Sequence, residues 1–476
     1  MRLSDVSVCC CVVAVSNFAS SALAQRANFG VQIGERAIGM GGAFTAVAND
    51  SSASWHNPGG LSQIRQRGLS LSATTYSWQQ TRIAKFIEGP SGETTPDERG
   101  TPLIYPNATI YVKPLNVSAV YPQTVAFSIL VPYTQFSEGV QNLSLDGAFV
   151  DLDLFTSSDE KVYMAGPSWA VQLGKIHLGA TLLGQYVTFS TKQQLSLTLP
   201  VQAQDQLHTS RLNDFDFTEG TFMGATAILG ALYKPLPELS TGLRIGLPNL
   251  RLAGEAKSHF SEARSTVATD QDGGLADLTL YQDVFRSLEG KTHYRTPLSV
   301  SAGLAWQITP KLMLSADLDY YFPLKARPLV DGQVEQSPAN YPGEFGTDGP
   351  RSHGSIIDDP GRERVLNGAV GLAWDWVPGW AALCGGYTDF SAVPDAGIGE
   401  LAQVNRLGAT IAVSRQDDKS TLMVGLSGTH GRGKAMGLLF SDTGIAETTP
   451  VLEQWSATVF VAGSALLDPP EKPESL

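Results

Sequence analysis

Lys311-Leu312-Met313-Leu314-Ser315-Ala316-Asp317-Leu318-Asp319-Tyr320 is the stretch on which the fold turns. In an extended chain Leu312, Leu314, Ala316, Leu318 and Tyr320 share one face, while Ser315, Asp317 and Asp319 share the other. A period of two belongs to strands, because successive side chains point to opposite faces. The same division sets Val300, Leu304 and Trp306 against Ser299, Ser301 and Gln307. It also sets Leu407, Ala409, Ile411 and Val413 against Gly408, Thr410 and Ser414, and it recurs early in Val125, Phe127, Ile129 and Val131. A soluble β-sandwich alternates in the same way, so alternation alone leaves two architectures open.

The connections separate them. About fourteen segments of roughly ten residues, the length of a tilted membrane strand, carry the pattern. They lie near 68–78, 105–113, 124–133, 161–173, 176–190, 222–234, 239–250, 295–308, 311–322, 364–376, 379–389, 403–415, 418–430 and 454–467. Tight turns at Gly174-Lys175, Thr309-Pro310, Val377-Pro378 and Gln416-Asp417 alternate with long polar stretches at 134–160, 191–221, 251–294 and 323–363, expected as loops. Short turns on one rim and long loops on the other mark an up-and-down membrane barrel with both termini at the short-turn rim. Trp306, Trp374, Trp376 and Trp380 flank the short turns, and Tyr320, Tyr321, Phe322, Tyr387 and Phe390 sit at the opposite strand ends, as two interfacial girdles would. The expected fold is all-β, a transmembrane antiparallel β-barrel.

The first residues agree with export. Arg2, the apolar run Val8 to Val15 and Ala22-Leu23-Ala24 have the order of a signal peptide cleaved after Ala24. Ser16 and Asn17 interrupt the run well short of the ~20 residues that a spanning helix needs. Cys9, Cys10 and Cys11 fall inside the signal and leave Cys384 alone, so no internal disulfide is expected, and their position before the run's end argues against lipidation. The chain has 476 residues, 42% hydrophobic and 17% charged, a composition that also permits soluble domains. A net charge of -13 removes the basic footprint of a nucleic-acid binder. No later apolar run crosses a bilayer as a helix, so any crossing falls to strands.

Residues 25–66 do not alternate. Gly34, Gly39, Gly41, Gly42, Gly59 and Gly60 lie there among small residues, a composition for close packing. Gly39-Met40-Gly41-Gly42-Ala43-Phe44, then Ala48-Asn49-Asp50-Ser51, then Asn57-Pro58-Gly59-Gly60-Leu61 resemble the amino-terminal plug of the FadL-type outer-membrane transporters of long-chain fatty acids and other hydrophobic compounds. In that family the box reads Asn-Pro-Ala-Gly-Leu, and here Gly59 stands in place of the usual alanine. Tyr105-Pro106-Asn107, Val131-Pro132-Tyr133 and Thr309-Pro310-Lys311-Leu312 with Ala316-Asp317-Leu318 extend the similarity along the chain.

The resemblance implies a fourteen-stranded barrel closed by the plug, with hydrophobic ligand entering from an outer groove and leaving through a gap in the wall. It implies a signal peptide 1–24, a plug 25–66, a barrel 67–467 and a disordered periplasmic tail 468–476 with three prolines. Asn28, Phe29, Phe44, Asn57, Pro58 and Gly59 become the ligand or gate residues. The implied partners are fatty acids, detergents and other hydrophobic small molecules, with outer-membrane lipid and lipopolysaccharide around the barrel. No ATP or cofactor is implied. One departure is the end, Pro473-Glu474-Ser475-Leu476, where such barrels usually finish on an aromatic; Phe460 lies inside the last strand instead. The family also includes secretion-system partners, which keeps a protein-binding or shuttle role open as the alternative.

The physical problem such a protein solves is the cost of taking an oily molecule through water, ~0.8 kcal/mol per CH₂. A plugged apolar passage avoids it, whereas an open porin would select by charge, and no arginine ladder marks an inward face. Pro132 and Pro167 remove ladder donors inside strands, and Pro132 is the expected wall kink, with a plain strand end as the other explanation. Chemical motifs are decoys. Gly428, Gly433 and Lys434 have phosphate-loop spacing, but Ala435 replaces the Mg²⁺-holding Ser or Thr. The Gly39 to Gly42 cluster lacks the strand before it and the acid after it that a dinucleotide site needs. The seven histidines have no metal-ligand spacing, and Asp270-Gln271-Asp272-Gly273 and Asp358-Asp359 read as solvated loop charge, so no metal is expected. Ser427 and His430 are near in sequence, but no Gly-x-Ser-x-Gly elbow accompanies them, and no enzyme is expected.

Overall fold

Each of the fourteen alternating segments forms a strand that pairs antiparallel with the wall strand before it. The computed structural model describes residues 33–467 except 90–91, 93, 116–119, 146–149, 204–205, 270–274, 337–351, 355–357, 360, 395–402, 436 and 442–443. The wall is built from β1 (Gly68–Glu88), β2 (Thr94–Leu115), β3 (Gln123–Leu145), β4 (Val150–Leu173), β5 (Ile176–Ala203), β6 (Gln206–Leu236) and β7 (Leu239–Gly246). It continues with β8 (Ser299–Thr309), β9 (Leu312–Tyr321), β10 (Val365–Val377), β11 (Trp380–Asp389), β12 (Gln403–Gln416), β13 (Ser420–Lys434) and β14 (Val451–Leu466). β14 pairs back onto β1, from Gly68 beside Leu466 to Ile83 beside Leu452, and this closes the ring. Short turns such as Gly174-Lys175 and Pro378-Gly379 define one rim, called the lower rim below.

The two faces are inverted relative to a soluble protein. In β9 Leu314, Ala316 and Leu318 are exposed while Ser315 and Asp317 are buried, with Leu318 at 57% and Asp317 at 3% exposure. In β12 Leu407 and Ile411 point outward and Arg406 and Thr410 inward. An outer belt this apolar suits lipid, with the polar phase of each strand turned to the lumen. Trp306, Trp374, Trp376 and Trp380 are exposed near the lower rim, and Phe322 and Phe390 near the other. Tyr321 and Tyr387 depart from the girdle expectation: they share the inward phase with Asp319 and Gly385 and line an internal cavity. Inward arginines also appear, among them Arg244 and Arg406; Arg406 bonds Gln454 at 2.7 Å and Asp389 at 3.4 Å.

Much of what was expected as loop is strand. β3 and β4 stay paired up to Leu145 beside Val150, and β5 and β6 up to Ala203 beside Gln206. A further hairpin, Glu255–Thr269 with Leu275–Thr292, continues the sheet from β6. In these extensions of β4 and β5 the apolar phase turns inward, with Leu152, Leu154, Leu195 and Leu197 buried and the outward residues polar, and the ladder persists. Asp358–Asp359 pairs with Arg327–Pro328. The signal region, Asn28, Phe29, Asp270-Gln271-Asp272-Gly273 and the tail 468–476 lie outside the described residues. No helix among the described residues is long and apolar enough to cross a membrane. Ser427 faces inward and His430 outward, so they form no dyad.

One seam of the wall is incomplete. β2 and β3 pair only from Leu115 beside Gln123 to Ala108 beside Leu130. Above that level β2 continues on β1 as far as Thr94 beside Glu88, and β3 continues on β4, but no described backbone pair joins β2 to β3; higher up the Arg99 side chain of β2 lies against Gly139 of β3 and donates to Thr156 of β4 at 3.1 Å. At the parting point β3 bulges. Leu130 pairs with Met164 and Tyr133 with Val162, so Val131 and Pro132 together oppose Tyr163. A proline has no N–H for the ladder, and an extra residue bends its strand away from a neighbour.

Candidate ligand-binding site

The segment before β1 lies inside the ring and bonds to its inner face on many sides. It is short-turned: a helix Glu35–Gly39, a helix Ala53–His56 and a 3₁₀ turn Pro58–Gln63. Gly41 and Gly42 have φ of 64° and 86°, a left-handed pair that side chains disfavour and that reverses the chain against β11. Ile38, Met40, Phe44 and Leu61 are buried in one cluster with the wall residues Leu383, Met423 and Phe460.

Polar wall residues satisfy backbone groups that the segment cannot pair itself. Asp317 Oδ2 of β9 accepts from the N–H groups of Phe44 (2.8 Å) and Thr45 (2.7 Å). Thr181 of β5 donates to the Ser54 carbonyl at 2.7 Å, Ser240 of β7 to that of Ala46 at 2.7 Å, and Thr410 of β12 to that of Gly39 at 3.0 Å. Asn57 Nδ2 donates to the carbonyls of Thr45 (2.8 Å) and Ala231 of β6 (2.9 Å), while its Oδ1 accepts from Gly59 N (3.2 Å). Glu35 accepts from Ser70 of β1 and Ser464 of β14. Buried carbonyls and N–H groups are thus paired.

Close approach is what makes those bonds reachable. Gly179, Gly230, Gly242, Gly303, Gly371 and Gly385 are inward wall positions where a Cβ would overlap the segment, at Pro58, Asn57, Thr45, Ala46, Met40 and Gly41 respectively. Gly59 belongs to the same fit: a Cβ there would stand 2.7 Å from the His177 carbonyl oxygen and 3.1 Å from that of Gly230. That contact accounts for glycine in place of alanine in the box.

Above the segment is a cavity of about 100 Å³. Its floor includes Gly41, Gly42, Thr45, Trp55 and His56, and Val162, Met164, Ile228 and Ala369 give it apolar wall. Polar groups converge on it from Gln185, Arg244, Ser299, Asp319 and Thr388. Arg244 Nε donates to the Trp55 carbonyl at 3.0 Å and Nη1 to Ser299 Oγ at 3.3 Å, with the guanidinium 5.5 Å from the Trp55 ring centre. His56 Nε2 lies 2.9 Å from the Ile33 carbonyl oxygen, which obliges it to be the donor. Burial pushes the His56 pKa down to about 4, so the ring is neutral at pH 7. On the segment's other side burial, with Asp50 nearby, pushes Glu35 up to about 7.

Of the residues named from sequence, Phe44, Asn57, Pro58 and Gly59 are buried beneath the cavity and anchor the segment to the wall; Phe44 stacks edge-on against His56 with ring centres 5.6 Å apart. None of these four lines the cavity. The lining groups Gln185, Arg244 and Asp319 were missed, because an inward polar residue on one strand looks like any other until the neighbouring strands are in place. A signal was present for the anchoring: glycines recur in the inward phase a few residues from the short turns. No metal-ligating group of three or more side chains exists among the described residues.

Solved structures share this fold over nearly their whole length. A Pseudomonas aeruginosa FadL homologue aligns at 15% identity with a TM-score of 0.59, covering 94% of this chain and 100% of that one. The P. putida toluene transporter TodX aligns at 15% identity and 0.56, covering 93% and 99%. The Ralstonia pickettii toluene transporter TbuX aligns at 14% and 0.51, covering 93% and 99%. No protein-family model and no curated protein matches the sequence. The resemblance read from the amino-terminal boxes is met at the level of the FadL-type fold.

Proposed function

We propose that this chain is an outer-membrane channel for passive uptake of hydrophobic small molecules, with residues 33–66 as a plug and the β2–β3 seam as the lateral exit. The observation that carries the reading is a coincidence of level. Val162 and Met164 line the cavity, and they are the ladder partners of Tyr133 and Leu130, the residues on either side of the Val131-Pro132 bulge. A molecule resting on the plug therefore sits against the place where the wall parts.

The physical chemistry supports this route. The plug's bonds to the inner wall leave a downward path only if several buried hydrogen bonds break, each worth about 1 kcal/mol net and more if left unpaired. A sideways path into lipid avoids returning the ligand to water, which costs ~0.8 kcal/mol per CH₂. The fold shared with a FadL homologue and two toluene transporters is consistent with such cargo. Fatty acids belong to this class, and the polar lining of the cavity leaves room for other ligands.

The test is uptake of a radiolabelled hydrophobic compound into proteoliposomes, alongside permeation of a sugar of similar size. The expected result is saturable uptake of the hydrophobic compound with no sugar permeation. A steady sugar flux with no preference for the oily compound would make the chain an open porin and overturn the reading.

A further inference from the structure

Gln185 of β5 is 3% exposed and lines the cavity, yet its Nε2 has no hydrogen-bond partner. The orientation of its amide is fixed by backbone groups some distance away. The N–H of Thr296 donates to Asn249 Oδ1 at 2.9 Å, so that atom must be oxygen, and Asn249 Nδ2 donates to the Tyr294 carbonyl at 3.1 Å. The same Nδ2 donates to Gln185 Oε1 at 3.1 Å. A nitrogen in that place on Gln185 would set donor against donor, so the oxygen of Gln185 faces Asn249 and its NH₂ is the free end. An unpartnered buried amide donor costs about as much as a lost hydrogen bond and more.

The charged groups of the cavity do not offer a second anchor. Arg244 is committed to the Trp55 carbonyl, Ser299 and the Trp55 ring, and the carboxylate of Asp319 lines the same space. An incoming carboxylate would meet a cation already engaged and an anion beside it. A pure hydrocarbon would leave the NH₂ of Gln185 with nothing to bond.

We infer that the cavity selects uncharged hydrophobic molecules bearing one acceptor oxygen, a ketone, ester or alcohol, held by Gln185 Nε2. This rests on the cavity being the ligand site of the proposed channel. Gln185 is then a specificity residue, and Asn249 and Thr296 are positioning residues that aim its amide.

The experiment uses the full chain in lipid nanodiscs, with empty nanodiscs to subtract partition into lipid. Binding of butyrophenone, butylbenzene and para-propylbenzoate, which carry equal carbon counts, is measured by equilibrium dialysis on the wild type and on Gln185→Met, whose assembly is checked by heat-dependent gel migration. The expected order is butyrophenone about ten-fold or more tighter than either of the others, the cost of one unpaired buried donor, with near parity of ketone and hydrocarbon in Gln185→Met. Equal binding of butylbenzene, tightest binding of the benzoate, or a ketone preference that survives Gln185→Met overturns the inference and leaves the channel standing. Binding of none of the three above empty nanodiscs overturns both. If Gln185→Met fails to assemble, the wild-type ranking decides.

Discussion

The β2–β3 seam and the β3–β4 seam start at the same rim and end differently. From Gln123 to Leu130 β3 is paired on both sides. Past Pro132 it keeps β4 as far as Leu145 beside Val150 and loses β2, although β2 itself runs on beside β1 to Thr94. Both strands are long enough to pair there, so the parting is not a matter of strand length. Both strands bulge beside a proline where they part, β3 at Val131-Pro132 and β2 at Pro106-Asn107, and neither proline has an N–H for the ladder. Other joints of the wall carry bulges too, but this one lies at the level of the cavity, beside Val162 and Met164.

The largest expected effect comes from removing the irregularity. Deleting Pro132 brings the run that ends at Leu130 and the run that starts at Tyr133 into a single register on β4. Uptake of a hydrophobic compound into proteoliposomes should fall about ten-fold or more, equivalent to ~1.4 kcal/mol of added barrier, while the barrel still shows its heat-dependent gel shift. Unchanged uptake would dissociate the seam from transport.

Next comes the sealed lower part. Gly230→Val places side-chain atoms on Asn57 and Pro58, and overpacking of this kind costs about 1–3 kcal/mol. Limited proteolysis should then cut within residues 33–66 faster than in the wild type. Gly184→Val is the matched control, because a Cβ there meets only the Ala165 carbonyl oxygen at 3.6 Å and faces outward.

A pH dependence of similar or smaller size is expected at the inner segment's other anchor. Burial raises the Glu35 pKa from 4.5 to about 7, so the folded state holds this proton more tightly than the unfolded chain. The contribution is full below pH 4.5 and is lost as pH rises through 7, in total on the order of 3 kcal/mol. Proteolysis within 33–66 should be slower at pH 5 than at pH 8, and Glu35→Gln should flatten the difference. The smallest effect is that of Ser62→Ala, which removes a bond to the Gly59 carbonyl (2.8 Å) and one with His177 (2.7 Å) and should cost about 1 kcal/mol in thermal unfolding.

What could be read in advance depended on which environment wrote the pattern. Lipid on one side and lumen on the other imposed the period of two on Leu314, Asp317 and Leu318, so strand number, closure and lower turns were legible. The upper halves of β4 and β5 also alternate, but with Leu152, Leu154, Leu195 and Leu197 buried inward and Asp151, Asp153 and Gln194 outward, so without an apolar outer face their polar composition reads as loop. Pro132 was legible because the chemistry of proline is local. Gln185 and Arg244 were not, since their roles come from Asn249, Thr296 and Trp55, which lie far away in sequence. Tyr321 and Tyr387 show a related limit: an aromatic at a strand end fits a girdle or a lumen equally, and only its phase relative to Asp319 and Gly385 decides between them.

The most direct test of the lateral route is photolabelling of the full chain in nanodiscs with a diazirine-bearing alkyl ketone, followed by mapping of the adducts by mass spectrometry. Lateral passage requires adducts on Met164 and Val162 and on the adjoining Val131 of β3. Adducts confined to Gln63, Ile64 and the rest of the lower rim, with none at the β2–β3 seam, would mean that the ligand passes down through the plug and would contradict the account.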